Sequence, residues 1–516
     1  MKPFLPSIVA ILALVAIVVA TERLISGRSG VIAEDVSIGD TPATLFRPID
    51  ASAEADPPPV ILIAHGFAGS RRLMAPFART LAKNGYIAAT FDFVGHGEHP
   101  RPMTGDVDSV DGPTKAMVAQ MAEVAAFALS RTRGSDLATV GHSMASDIVV
   151  RFAEEEPMVD ATVGISVFSP AITSTAPKNL LIIVGDWEGM LKREALRVVG
   201  LTAAPHTAVE GRTYGTFSDG TARRVVFARN SEHIAVLFDP ESFIAAVRWL
   251  DQAFLIERGA PIEAKTTLPW ISLLVLGIVA LGFPVTHTLP MLSEPPSGAA
   301  LSWARLWPVV VIPALVVPLS LRLIPTDFLP IIVGDYLAAH FFTYGLVTFV
   351  VVVWVQRLYR PGRRIWPLPF PATKAAIATL IVTLYGTCAL GIAIHATITN
   401  YYPVSVRYPL FIILLLGTLF YFFTNEWALR GPGVGFGAMV AGKLAFVLSL
   451  AIAVALDFER LFFLIIIVPI IVIFFVIYGL LSRWCYIRTG HPMPGAIASA
   501  VAFAWGIAVT FPLFSG

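Results

Sequence analysis

The chain has 516 residues, of which 56% are hydrophobic and 14% charged, with a formal net charge of +1. A soluble domain carries about 25% charged residues, so a wholly soluble chain is excluded, and a charge balance this close to neutral gives no reason to expect a nucleic-acid partner. Most of the charge lies before residue 265 and long apolar runs follow it, which divides the sequence into a soluble part and a membrane part.

The first element is an apolar run from Phe4 to Ala20, preceded by Lys2. Its length lies between that of a signal peptide and that of a spanning helix, and "VVA" before Thr21 offers a cleavage site. Either reading, an N-terminal transmembrane helix or signal anchor over 1–24 or a removed leader, carries the following domain across the membrane. The only cysteines, Cys388 and Cys485, fall in the apolar half, so the soluble half has no disulfides.

Residues 30–256 alternate strand-like and helix-like stretches. "VIAEDVSIG" and "ATLFRPI" predict an opening antiparallel pair. The short apolar runs "PVILIAHG", "IAATFDF", "LATVGHS", "ATVGISVF", "NLLIIVGD" and "RRVVFARN" suit strands buried on both faces of a parallel sheet. Helical patterns such as "APFARTLAKNG" and "TKAMVAQMAEVAAFALS" lie between them. The last helix opens with Asp239 as N-cap and Pro240 at its first position, and shows Phe243, Val247, Leu250 and Phe254 at helical spacing. The rhythm predicts an α/β fold with helices on both faces of the sheet. "GRTYGTFSDGTARRVVF" reads as a hairpin turning at Ser218-Asp219-Gly220.

Candidate chemistry gathers where these strands end. "VGHSMAS" places Ser143 between a strand and a helical pattern, with Gly141 two residues before it and Ala145 two after. A serine on a sharp strand-to-helix turn needs small neighbours, as in the G-x-S-x-G nucleophile elbow, with alanine here replacing the second glycine. The alternative is a serine in a structural turn. A serine nucleophile needs a base, a group that orients the base, and an oxyanion site. His233 lies just past the last strand in "NSEHIAVLF", and "VGDWEGM" supplies a carboxylate past the strand before it. The N–H groups of Phe67, in "IAHGFAGS", and of Met144 are candidates for the oxyanion site. All these residues fall at carboxyl ends of strands, where open α/β sheets place their sites.

With "HGFAGS", "DFVGHGE", "GHSMAS", "GDWE" and "SEH" in this order, the sequence over roughly residues 30–256 resembles the α/β-hydrolase family. The resemblance implies a serine hydrolase of the esterase, lipase or peptidase kind, with Ser143 as nucleophile, His233 as general base, and Phe67 and Met144 as oxyanion-hole amides. Family members often carry glycine, two residues, then the acid, which from Gly185 points to Glu188; Asp186, nearer the strand end, is the competitor. Asp92, His96, Glu98 and His99 share one loop, for which a metal site is the alternative, but the resemblance implies that this loop is structural, that His65 belongs to the oxyanion loop and that His142 packs beside the elbow. No metal and no cofactor is expected. The short "SPAITSTAPKN" leaves little room for the helical lid that many members insert there.

"RGAPIEAKTTLP" reads as a linker over 257–267. Residues 268–516 then predict an all-α transmembrane bundle of about eight helices, near 268–288, 306–324, 328–355, 375–396, 408–425, 434–456, 461–481 and 494–513. Arg357, Arg360, Arg363, Arg364 and Lys374 in one loop, and Arg483 and Arg488 in another, mark cytoplasmic loops. Counted from a cytoplasmic Lys2, the spans place both loops in the cytoplasm and the hydrolase-like domain outside it. Asp335, His340, His395, Glu426 and Lys443 lie inside the segments as candidates for a proton or substrate path. Asp335 and His340, five apart, do not share a helix face. "GAMVAGKL", residues 437–444, imitates a phosphate loop but lacks its final hydroxyl residue and a preceding strand, so close helix packing is the better reading.

The expectation is a multi-pass integral membrane protein whose extracytoplasmic hydrolase domain cleaves an acyl ester or amide through an acyl-enzyme, its substrate being either lipid-linked or long-chain or else a small soluble ester. An acyltransferase using the same residues, and a transporter or sensor with a hydrolase-like binding domain, are the alternatives.

Overall fold

A computed structural model describes residues 4–49, 57–106, 109–132, 134–359 and 371–515. Lys2, Arg360, Arg363 and Arg364, which enter the orientation count, lie outside the described residues. The chain forms two compact units. One comprises Ala20–Ser272 together with the short segments His395–Asn400 and Pro512–Gly516; the other comprises Met1–Val19, Leu273–Ile394 and Tyr401–Phe511.

Helix α1 (Leu5–Ser26) is followed by an eight-stranded mixed sheet. Its strands are β1 (Val31–Ile38), β2 (Thr41–Pro48), β3 (Val60–Ala64), β4 (Ile87–Phe91), β5 (Leu137–His142), β6 (Val159–Ile165), β7 (Leu180–Gly185) and β8 (Arg223–Ala228). The spatial order is β1-β2-β4-β3-β5-β6-β7-β8. β1 and β2 pair antiparallel, β2 joins β4 antiparallel, and every later pairing is parallel. Each of the six apolar runs is thus a strand, and every residue of β3, β4, β5 and β7 is buried, as helices on both faces require.

The helices of this unit are α2 (Ala75–Lys83), α3 (Lys115–Ser130), α4 (Met144–Glu155), α5 (Gly189–Ala203) and α6 (Pro240–Ala253). Asp239 caps α6 as its position predicts: Oδ1 accepts from the backbone N–H of Glu241 at 2.7 Å and of Ser242 at 3.2 Å. The hairpin before β8 is reduced to one antiparallel bridge, Tyr214 with Arg223, and Asp219 closes its turn by accepting from Thr221 N at 2.9 Å. The segment read as a linker is a fastened strap. Arg258 donates to Asp251 and to the Asn84 carbonyl, Lys83 pairs with Glu263 at 2.6 Å, and Glu263 N donates to Asn84 Oδ1.

The other unit is a helical bundle: α7 (Leu268–His287), α8 (Trp303–Leu321), α9 (Gly334–Tyr359), α10 (Ala372–Thr397), α11 (Tyr408–Ala428), α12 (Phe436–Leu456), α13 (Leu464–Thr489) and α14 (Met493–Thr510). With α1, nine helices among the described residues are long and apolar enough to cross a membrane. α8 absorbs Pro308, Pro313 and Pro318, as helices in a bundle can. α13 continues beyond 481 because Ser482 and Cys485 are buried against other helices, and Gly490, at φ +69°, ends it in the left-handed conformation. α9 and α11 meet almost backbone to backbone. A Cβ on Gly345 would lie 2.8 Å from Tyr421 N, and one on Gly417 would lie 2.7 Å from the Ala338 carbonyl.

Candidate active site

Ser143 occupies the turn between β5 and α4 with φ +55° and ψ −118°, outside the conformations a serine ordinarily adopts. Its neighbours hold it there. Ser143 N donates to the Ile165 carbonyl at 2.9 Å, and Ser146 N to the Ser143 carbonyl at 2.8 Å. Gly141 admits no side chain, since a Cβ would lie 2.5 Å from the Ala145 carbonyl oxygen. Ala145 is fully buried, so its methyl fits where the motif more often has glycine.

The β8 end delivers His233 to this serine. His233 Nε2 lies 2.9 Å from Ser143 Oγ, and Nδ1 lies 2.6 Å from Glu188 Oε1. A carboxylate only accepts, so Nδ1 carries the hydrogen and Nε2 is left to accept from the serine hydroxyl. Glu188 Oε2 accepts from Gly185 N and from Ser166 Oγ, both at 2.7 Å. Asp186 lies outside this line: its carboxylate is 43% exposed and pairs with Lys192 at 2.6 Å. The two acids separate because Glu188 N bonds back to the Gly185 carbonyl and Trp187 N to the Ser231 carbonyl, a tight turn that directs Glu188 inward.

The loop after β3 packs against the serine turn. A Cβ on Gly66 would lie 2.9 Å from Ser143 Cβ and 3.0 Å from the His142 carbonyl oxygen, so only glycine allows this approach. Phe67 follows directly. Met144 is the first residue of α4, and the first N–H groups of a helix have no intrahelical acceptor. The structure therefore brings Gly66, the neighbour of Phe67, against Ser143, with Met144 next in the chain.

Two buried histidines fix the surroundings. His142 donates from Nε2 to the His233 carbonyl at 2.9 Å, and burial, with His233 nearby, holds it well below the ordinary 6.5, so it is neutral. His65 donates from Nδ1 to the Gly66 carbonyl and accepts at Nε2 from Phe93 N at 3.1 Å. Its pKa is lowered by burial against the pull of Asp92. Asp92 is fully buried and anchors two loops: Oδ1 accepts from Arg71 N at 2.7 Å, Oδ2 from Glu98 N at 3.0 Å, and Arg71 also pairs with Glu98 at 2.6 Å. His96 Nδ1 bonds the Val94 carbonyl and His99 Nδ1 accepts from Arg101 N. These residues brace the loop that the sequence also reads as structural. No group of three His, Cys, Asp or Glu able to hold a metal occurs among the described residues.

Ser166 and the His142 bond to His233 are the parts that sequence reading misses. Ser166 has one signal, its place at the carboxyl end of β6, which many loop serines share. Between β6 and β7 the chain has no helix. Phe168 N is fastened to Ser146 Oγ at 3.1 Å while the Phe168 side chain is 67% exposed.

Residues 55–212 match the family model described as "Serine aminopeptidase, S33". The match ends before β8 and so does not reach His233. No curated protein matches the chain. Among solved structures, it is similar to dienelactone hydrolase from Anabaena variabilis, at 17% identity over 44% of this chain and 96% of that one, with a TM-score of 0.32. It is also similar to a membrane phospholipase A described as a bacterial virulence factor, at 16% identity over 49% and 99%, with a TM-score of 0.33. These likenesses are faint, and the matched family model and the mixed sheet carry the assignment: the N-terminal part of this chain is an α/β-hydrolase domain, followed by a run of long apolar helices.

Proposed function

We propose that the domain is a serine hydrolase that cleaves an ester or amide through an acyl-enzyme. The observation that carries this reading is the continuous hydrogen-bonded line from Ser143 through His233 to Glu188, at 2.9 and 2.6 Å. In the proposed reaction, Ser143 Oγ attacks the substrate carbonyl while His233 Nε2 takes its proton. The oxyanion is met by the amides of Phe67 and Met144. His233 then gives the proton to the leaving group, and water repeats the sequence on the acyl-enzyme. Glu188 keeps the imidazole in the tautomer that leaves Nε2 as acceptor, and the bonds from Ser166 and Gly185 keep Glu188 from turning.

The substrate we favour has a long or lipid-borne acyl group. Phe168, Trp187 and Met190 all lie just past strand ends on the side of the sheet that holds Ser143, and all are well exposed. Exposed apolar groups at the strand ends of the sheet that carries the nucleophile favour an apolar ligand. Placement of the domain outside the cytoplasm belongs to the same proposal. Alternating the nine spans from a cytoplasmic start puts Arg357, Lys374, Arg483 and Arg488 beside cytoplasmic loops.

The test is labelling of the full-length protein in detergent with a fluorophosphonate, followed by a panel of short and long acyl esters and aminoacyl amides. Ser143 takes the label and the long esters turn over fastest. Ser143→Ala abolishes labelling and lowers turnover by about 10⁴-fold or more. Undiminished turnover in that variant sinks the mechanism; preference for aminoacyl amides sinks the substrate class alone.

A further inference from the structure

The bundle contains a buried polar seam that the hydrolase does not use. On α9, Tyr336, His340, Tyr344 and Thr348 recur every four residues, a single stripe about 18 Å long at 1.5 Å per residue. All four are buried, His340 and Thr348 completely. His340 Nδ1 lies 3.4 Å from Tyr336 Oη, its ring stacks at 6.1 Å on Tyr344, and Tyr344 meets Tyr421 of α11 edge to face at 5.6 Å. Lys443 of α12 sits 5.1 Å over the Tyr421 ring and donates to Asn425 Oδ1 at 3.0 Å. Its Nζ is 3.7 Å from Glu426 Oε1, and Glu426 Oε2 accepts from Arg430 at 2.8 Å and from Ser482 Oγ at 2.7 Å. Three of the five ionisable residues singled out in the sequence, His340, Lys443 and Glu426, thus join one line, while Asp335 and His395 are not part of it. Glu426 is 1% exposed, inside the bundle, and Lys443 lies within ion-pair distance of it.

Four atoms on this line, His340 Nε2, Tyr344 Oη, Thr348 Oγ1 and Tyr421 Oη, have no hydrogen-bond partner among the described residues. Each unsatisfied buried polar atom costs about 1–3 kcal/mol, and phenylalanine, leucine and valine would fill the same space without that cost. Residues kept at such expense inside a membrane bundle mark an ion or proton route. The charges present choose between the two. Lys443 and Arg430 place two cations against one carboxylate, which repels a metal cation, and the aromatic rings leave no room for a bulky anion. A proton needs no coordination shell and passes along hydrogen-bonding groups bridged by single waters. Imidazole, phenol and amine groups each accept a proton at one site and release another, and lysine, unlike arginine, gives its proton up.

We propose that this seam carries protons through the bundle, between Tyr336 at the start of α9 and Glu426 at the end of α11. At each transfer one N–H or O–H bond breaks as another forms. His340 takes a proton on one ring nitrogen and releases one from the other, and the tyrosine hydroxyls pass it on, with water completing the contacts between them. Lys443 gives a proton to the Glu426 carboxylate and takes the next one from the seam, Glu426 passes its proton on beyond the end of α11, and the imidazole ring and the hydroxyls turn back to their starting tautomer and orientation before the next transfer.

The test reconstitutes the full-length protein in lipid vesicles, imposes a potassium diffusion potential with valinomycin, and follows proton uptake with a pH-sensitive dye. Uptake exceeds that of protein-free vesicles and falls about tenfold or more in His340→Leu and in Tyr421→Phe. Tyr421→Phe removes only a hydroxyl and keeps the packing, so its loss of flux is not a loss of fold; unchanged fluorophosphonate labelling in the same vesicles reports intact protein. Wild-type uptake equal to that of empty vesicles, or wild-type flux in Tyr421→Phe, overturns the proposal.

Discussion

Ser143, His233 and Glu188 sit 45 residues or more apart in pairs that hydrogen-bond, yet their order along the chain was readable, because each follows a strand. What the residues alone did not decide was which carboxylate faces the imidazole. Asp186 and Glu188 are two apart on one turn, and only the backbone bonds of that turn aim one inward and leave the other with Lys192. Glu188→Gln should therefore lower kcat by about 10⁴-fold, while Asp186→Asn, a change at an exposed ion pair, leaves it nearly unaltered. Steady-state kinetics of the two variants checks this ranking, and the reverse ranking would transfer the role to Asp186. Ser166 was illegible, because a loop serine carries no mark of its partner. Ser166→Ala removes one of the two bonds on Glu188 Oε2 and should cost about tenfold in kcat, or about 1.4 kcal/mol, with KM unchanged.

At the level of elements, the strands were legible because a strand covered on both faces must be apolar throughout. The spans were legible because lipid makes the same demand over a greater length. The strap over 257–267 was not. Its composition is that of a loose linker, and the bonds from Asn84 and Lys83 that fasten it come from a helix some 180 residues earlier. The turn at Ser143 depends on close contact between β5 and α4 at Gly141. Gly141→Val should destabilise the domain by about 3 kcal/mol or more, since backbone cannot yield as a side chain does; a thermal melt of the variant reads this loss. His65 and His142, which tie loops to the site, give a pH dependence. Burial lowers both below the ordinary 6.5, so the folded state binds fewer protons than the unfolded one. Their contribution is present in full above about pH 6.5 and is lost as the pH falls below it, at up to about 1.4 kcal/mol per pH unit for each proton. Melting temperatures of the full-length protein between pH 7.5 and 5 should fall toward acid; a flat profile contradicts neutral, buried histidines.

For the whole molecule, hydropathy and basic residues made the division into a hydrolase domain and apolar helices visible in the sequence. The polar seam was only partly so. His340, Glu426 and Lys443 stand out as ionisable, but Tyr344, Thr348 and Tyr421 are unremarkable until three helices bring them together. The proposed orientation predicts that a reporter active only outside the cytoplasm is active when fused after Gly516 and silent when inserted within 360–370; the opposite pattern would reverse the orientation of every span. The near-contact of α9 and α11 at Gly345 and Gly417 has a further consequence. Where two backbones touch, neither helix can open a turn without parting from the other, so their amides should exchange hydrogen for deuterium as one block. That block should be the slowest in the bundle, with α8, a continuous helix whose three prolines each remove a backbone hydrogen bond, among the fastest, and mass spectrometry of deuterated peptides would rank them.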